Sequence, residues 1–398
     1  MTDYVRHALR VKPTQDEYAR QTFMQSMRTY VLHDVANGMK TVYDRKVEPD
    51  FEKRNARKPK DGPEVHKALK DETLFKFYSS IRCNAQEMAF RSVIPTLERN
   101  FEATNRKAQA LARSTEKAAG SLEINPSFEV PHYVAGLDVH LMPGGYDTEH
   151  TRDDVTQGAL YDNGISVFSM GLFGDELDDI GTTISKFIST KYPDFKPTRV
   201  LDLGCSVGHN TVPWARTYPD AEVHAVDVGA PGLRYAHARA QSLGKTVHFH
   251  QQSAEHLSFE DESFDMIFSS MFLHEVPGKG IRNVFNEAHR LLKPGGLMLH
   301  MELPTNDMLE PYDSFYLDWD AYYNKEPFYK AFRDMNAKEV CTTAGFGKEK
   351  FFHYIIPSLG FFGEDAVVKS IDNQSGQADE NTGRLSDGIN WFCFGAWK

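Results

Sequence analysis

Cysteine is scarce in these 398 residues, and Cys83, Cys205, Cys341 and Cys393 stand far apart with no CxxC pair. That spacing excludes a zinc knuckle and a disulfide framework and predicts four free thiols. No run of 18 apolar residues occurs, and the opening MTDYVRHALRVKP holds no apolar stretch of signal-peptide length. The chain therefore reads as cytoplasmic, with no membrane partner. Basic residues are outnumbered, 45 Lys and Arg against 56 Asp and Glu, for a net charge of −11. The deficit is uneven, because residues 1–120 carry 23 basic and 16 acidic side chains, leaving −18 for residues 121–398. An acidic main body is a poor match for a phosphate backbone, so nucleic acid is not an expected partner. Internal repeats are absent too, while 40% apolar residues suffice for cores in two or three domains.

What is present begins with helical periodicity. Thr14 and Glu17 fit a capping box, and Phe23, Met27, Val31, Val35, Met39 and Val42 recur at steps of four and three. A polar, basic connection, EKRNARKPKDG, follows at 52–62. A second helical region over 64–113 carries Leu74, Phe77, Ile81, Met88, Val93, Ile94 and Leu97 and is interrupted at Pro95. Residues 1–120 thus read as an all-helical module, a cover for a substrate pocket or a surface for a homodimer. Gly and Pro punctuation over 121–196 predicts a loop-rich bridge ending in a helix near Ile180 to Tyr192. From 197 to 398 apolar runs alternate with helical stretches as in an α/β domain. Strands are expected at Arg199–Leu203, Glu222–Val228, Thr246–Gln251, Phe264–Ser269, Gly296–Met301, Phe351–Ile356 and Asn390–Trp397. The helix Lys279 to Leu292 should stop at Lys293-Pro294-Gly295-Gly296, and the polar stretch 370–388 reads as a mobile loop.

The chemistry concentrates at RVLDLGCSVGHNT, 199–211, a buried strand entering a glycine turn and then a helix. Ligands of open parallel sheets bind beyond the carboxyl ends of the strands, where this turn lies. Its glycines, Gly204 and Gly208, do not make the GxGxxG of a dinucleotide site, and Asp202 before them repels a pyrophosphate while suiting an ammonium group. Asp227, closing EVHAVDVG, is placed to bind the hydroxyls of a ribose. An ammonium group and a ribose together suggest S-adenosylmethionine.

Four motifs, LDLGCSVG, AVDVG, QQSAEHLSF with DESFDMIFSS, and LLKPGGLML, follow in order. Over about 198–303 the chain resembles a class I S-adenosylmethionine-dependent methyltransferase of the ubiquinone/menaquinone methyltransferase subgroup. The resemblance implies a Rossmann-like α/β fold with a mostly parallel seven-stranded sheet and a C-terminal antiparallel strand. It places Asp202, Gly204 and Gly208 beside the methionine part of the cofactor, with Cys205 among the cofactor-binding residues. Asp227 and Val228 fall at the ribose and adenine, Ser253, Ala254 and Glu255 at the adenine edge, and Ser270 at the end of the fourth strand. Ser206 and Ser253 stand where many relatives have glycine and aspartate.

Transfer from a sulfonium is a direct displacement, so the protein must hold an acceptor in line and take its proton where there is one. After the fourth strand, His274 is the candidate base. After the fifth, an insert over about 304–335 brings Tyr312, Tyr316 and Trp319 among aspartates, with Glu302 just before it. Aromatic faces and carboxylates suit a small amine acceptor. O- or C-methylation of a phenolic, quinone-like or carboxylate metabolite is the alternative, as is a non-catalytic cofactor-binding scaffold. Tyr146 and Tyr161 precede the cofactor region and are placed to close the site. No metal ligand set is expected.

Overall fold

A computed structural model describes residues 7–113, 120–374, 377–385 and 388–398. Strands β1 (Ser121–Glu123), β2 (Arg199–Leu203), β3 (Glu222–Asp227), β4 (His248–Gln251), β5 (Phe264–Ser270), β6 (Leu292–Glu302), β7 (Phe351–Pro357) and β8 (Asn390–Trp397) form one sheet, in the order β1-β4-β3-β2-β5-β6-β8-β7. Pairing is parallel from β1 to β6, and β8 lies antiparallel between β6 and β7. All seven expected strands are there, within a few residues at their ends. The eighth, β1, is too short for a period-two pattern to reveal it.

The central strands are mostly apolar because both faces of the sheet are covered. Val200 packs with Ile184, Phe187, Trp214 and Leu233 on one face. Its neighbour Leu201 packs with Ile281, Val284, Phe285 and Leu291 on the other, the buried side of helix Gly278–Leu291. Strand β2 has β3 on one side and β5 on the other, so the chain reverses its winding there and leaves a crevice at the carboxyl ends.

The capping box at Thr14 is formed, and it starts a helical run over 15–55 containing wider turns at Val31–Val35 and Tyr43–Val47. Helices Gly62–Leu69, Thr73–Arg91 and Ile94–Ala112 follow. The buried faces differ from the periodic reading: Phe23, Phe77 and Met88 are exposed, while Met24, Arg28, Phe75, Tyr78 and Arg82 are buried. Met24 packs with Phe90, Ala159 and Leu160, and helix Pro311–Tyr323 accounts for Phe75 and Tyr78. It lays Tyr312, Phe315, Tyr316 and Leu317 against Val31, Val35, Met39, Tyr43, Val65 and Phe75, so the helical region is fastened to the sheet domain mainly by an apolar seam.

The bridge over 121–196 is more regular than its glycines suggest. GALYDNG belongs to helix Thr156–Phe168, and a Cβ on Gly164 would lie 2.3 Å from the Phe90 ring, so this glycine permits close helix packing and makes no turn. Within the same helix, buried Asp162 accepts from Tyr235 Oη (2.9 Å) and pairs with His7 and His209. Of the polar stretch 370–388, residues 375–376 and 386–387 lie outside the described residues, as do 1–6 and 114–119 of the helical module. Its described parts are tied down rather than loose. The Gln374 side chain bonds the backbone N–H and C=O of Ile355, Thr382 bridges to Asn390, and the Arg384 guanidinium lies 4.0 Å over the Tyr316 ring. No helix among the described residues is long and apolar enough to cross a membrane.

Candidate cofactor and acceptor site

Beyond β2 the chain turns on Gly204 (φ 70°), Ser206 (φ 47°) and Gly208 (φ 75°). Ser206 occupies a left-handed conformation that glycine takes more easily, and the Asp227 carboxylate holds it there. Its Oδ2 accepts from Ser206 N–H and its Oδ1 from Gly229 N–H, both at 2.8 Å. A Cβ on Gly204 would lie 2.2 Å from the Phe272 ring, so the turn and the segment after β5 meet only over a bare backbone.

These elements enclose a cavity of about 820 Å³. Gly204, Ser206, Asp227, Val228, Ser253, Ala254, Glu255 and Ser270 line it, together with Tyr146 and Tyr161. Glu255 is already engaged, accepting from Tyr133 Oη (2.7 Å) and Asn283 Nδ2 (3.0 Å), and Ser270 Oγ accepts from Asn210 Nδ2 (3.1 Å). Three expected residues do not reach the cavity. Asp202 is sealed beneath the turn, its Oδ2 accepting from Thr211 Oγ1 at 2.5 Å, and burial pushes its carboxyl up to about 7. The same burial raises the Cys205 thiol, and Gly208 faces Phe249 and Ala236 in the core. All three support the turn from behind. Strand alternation accounts for Asp202, whose side chain leaves the strand before the glycine bend.

A second cavity, about 990 Å³, adjoins the first, and Tyr146, Tyr161 and Met271 line both. His274 reaches it, with Nδ1 2.6 Å from Glu302 Oε2 and its ring edge-on to Tyr329. Glu302 also accepts from Phe272 N–H (2.8 Å) and Leu273 N–H (2.6 Å), so it is wholly engaged and lines neither cavity. Although burial opposes the charge, Glu302 holds the His274 imidazole up at about 9. Near pH 7 His274 is then an imidazolium, which donates and does not accept a proton. A role as base requires His274 to lose that proton first. Glu302→Gln should lower the His274 titration in an NMR experiment from about 9, because burial is then opposed only by the charges of Glu275 and Glu326. A midpoint unmoved by the variant would contradict the pairing. The sign for stability follows: His274 stabilises the fold below its unfolded value near 6.5, and the contribution is lost as pH rises through about 9.

Of Tyr312, Tyr316 and Trp319, Tyr316 lines the second cavity, and Leu317, Asp320 and Tyr329 of the same insert line it too. Tyr312 packs on Tyr43, and Trp319 donates to Ser79 Oγ (2.9 Å) beside His66, so neither faces a ligand there. The helix spends these rings on the seam. The insert's aspartates are also taken: Asp320 pairs with Arg82 and Asp318 with Arg333, both at 2.6 Å, and Asp313 lies 3.9 Å from Arg384.

Where the cavities meet, the structure gathers residues that the sequence could not connect. His140 Nε2 is 3.3 Å from Glu275 Oε1 and its Nδ1 3.1 Å from Glu326 Oε1, while Tyr146 Oη donates to Glu275 (3.1 Å). One ligand-type atom from each of His140, Glu275 and Glu326 lies within 4.8 Å of the others. The two carboxylates hold His140 up at about 10 against its burial, and the proton it keeps ties the three together.

Comparison with known proteins agrees with this geometry. Residues 200–296 match the family model described as a methyltransferase domain. A demethylmenaquinone methyltransferase of Lactobacillus johnsonii is 31% identical over 36% of this chain and 55% of its own length. A ubiquinone/menaquinone biosynthesis C-methyltransferase of Vibrio parahaemolyticus is 35% identical over 31% of this chain and 47% of its own. The chain thus spans about half the length of the curated relatives it matches. Among solved structures, phosphoethanolamine N-methyltransferase 2 of Haemonchus contortus superposes with a TM-score of 0.43 at 19% identity, over 63% of this chain and 60% of that one. The glycine turn and the Asp227 brace both fall within residues 200–296, the stretch that matches the methyltransferase domain model.

Proposed function

We propose that the protein transfers a methyl group from S-adenosylmethionine, held in the first cavity, to a small molecule held in the second. The observation that carries this reading is the junction of the two cavities at Tyr146, Tyr161 and Met271. The first cavity fits the cofactor. Gly204 leaves a cradle that a side chain would fill, and each Asp227 oxygen, bonded once to backbone, keeps a lone pair for a ribose hydroxyl. Gly204, Ser206 and Asp227 would hold it, with Val228, Ser253 and Ala254 along the adenine. Bound there, it supplies a methyl group on a cationic sulfur.

The protein's own groups orient and shield. Tyr146 and Tyr161 narrow the passage and limit water, while Glu275, fixed by His140 and Tyr146, sets negative charge in the first cavity's wall, where a cation is favoured. In the second cavity Leu32, Ile165, Leu303, Leu317 and Trp391 offer an apolar wall for a flat ring. That wall and the relatives' names favour a quinone-like or phenolic acceptor. With Asp313, Asp318 and Asp320 facing arginines, the insert supports an amine less well.

Titration calorimetry with S-adenosylhomocysteine should give a dissociation constant on the order of 1 to 100 μM, about −8 to −5 kcal/mol. Turnover should then be detected as S-adenosylhomocysteine released with a panel of phenols and quinols. No binding of S-adenosylhomocysteine would overturn the reading.

A further inference from the structure

One cation in the wall of the second cavity makes no ion-pair contact among the described residues. Arg28 leaves the long N-terminal helix and is 1% exposed. Its Nε donates to the Phe168 carbonyl and its Nη1 to Gln86 Oε1, both at 2.8 Å, and the guanidinium lies 4.3 Å over the Phe168 ring. Its Nη2 is buried with no partner, and no carboxylate lies within ion-pair distance among the described residues. The other two arginines of this wall differ: Arg82 pairs with Asp320 at 2.6 Å, and Arg384 lies near Asp313. Gln86 fixes the arrangement, since its Oε1 also accepts from Arg82 Nη1 (3.0 Å) and its Nε2 donates to the His140 carbonyl (2.8 Å). Arg28 cannot swing to a protein carboxylate without abandoning these bonds.

A buried guanidinium with a free donor edge is costly, and a ligand oxyanion satisfies it through charge-assisted bonds. Burial and the neighbouring Arg82 pull Arg28 down to about 9, so the site destabilises this charge until an anion arrives. Arginine suits the role better than lysine, because its planar fork stays oriented while two of its nitrogens are engaged.

We propose that the methyl acceptor carries an anionic group, a carboxylate or a phosphate, that binds Arg28 Nη2 and anchors the molecule in the second cavity. The inference rests on the transfer reading for the word acceptor, and on Arg28 alone for the anion.

The test titrates the full-length protein with benzoate, phenyl phosphate and the neutral benzamide, with and without S-adenosylhomocysteine. At least one anion should bind about tenfold or more tightly than benzamide, the gain of a charge-assisted bond. Benzoate in that place identifies a carboxylate, phenyl phosphate a phosphate ester. Arg28→Met should abolish the preference while holding S-adenosylhomocysteine within about twofold of the wild-type affinity, and Arg28→Lys should keep part of it. Equal binding of all three probes to the wild type, or an anion preference that survives Arg28→Met, overturns the proposal. Should Arg28→Met not fold, the wild-type comparison with Arg28→Lys decides. Failure to bind S-adenosylhomocysteine sinks the transfer reading instead, and the titration without it still judges the anion site.

Discussion

Replacing Asp202 by asparagine is expected to stabilise the fold at pH 8 by on the order of 2–4 kcal/mol relative to the wild type, and by little at pH 4. The carboxyl is buried, has one side-chain hydrogen-bond partner in Thr211, and feels the charge of Asp227, so its value rises from an ordinary 3.8 to about 7. A group whose folded value is raised holds its proton more tightly in the folded state. Its contribution is therefore complete below about 4 and is lost as pH climbs through about 7. Each tenfold change in proton affinity corresponds to about 1.4 kcal/mol, and the asparagine keeps an oxygen for the Thr211 hydroxyl without the charge. Urea unfolding of both proteins between pH 4 and 8 measures the effect. A difference that grows to about pH 7 and then levels bears out the argument, and a constant difference defeats it.

Asp227→Ala should weaken S-adenosylhomocysteine binding by about 100-fold, roughly 2.7 kcal/mol. The side chain braces the glycine turn through the amides of Ser206 and Gly229 as well as facing the cavity. Its loss strands two donors, at about 1–3 kcal/mol for each one left buried, and releases Ser206 from its left-handed backbone. Asp227→Asn keeps one acceptor and should fall between. Calorimetry of all three proteins, with melting temperatures to separate folding from binding, would show it. An alanine variant that binds as well as the wild type would place the cofactor elsewhere.

Much of the fold is legible in the sequence because the strands of the α/β core are buried on both faces and read as apolar runs bounded by turns. The glycine turn and Asp227 are legible for a local reason, since a short motif sets their backbone. Asp202 and Cys205, read from the same motif, are buried and do not line the cavity: spacing tells which residues share a turn, and says nothing of which side each faces. The amphipathic pattern of the N-terminal helices fails in a different way. Arg28 and Arg82 look like solvent-facing charges until helix Pro311–Tyr323 and the second cavity cover them, so only tertiary structure reveals them. His140, Glu275 and Glu326 lie far apart in the chain, and no local signal joins them. His274, singled out by its place after the fourth strand, lines the second cavity, but its charge state depends on Glu302, which arrives from the end of β6.

The wall of the second cavity draws on residues 28 and 82 from one end of the chain and on 384 and 391 from the other, whereas the first cavity is built within residues 133–276. Closing such long loops carries a chain-entropy cost that the inner cavity does not bear. The wall of the second cavity is therefore expected to open before that of the first. In native-state hydrogen exchange, amides around Arg28 and Arg384 should open at lower free energy than those of β2 and β3. The wall of the second cavity is thus the part of the two-cavity site expected to loosen first.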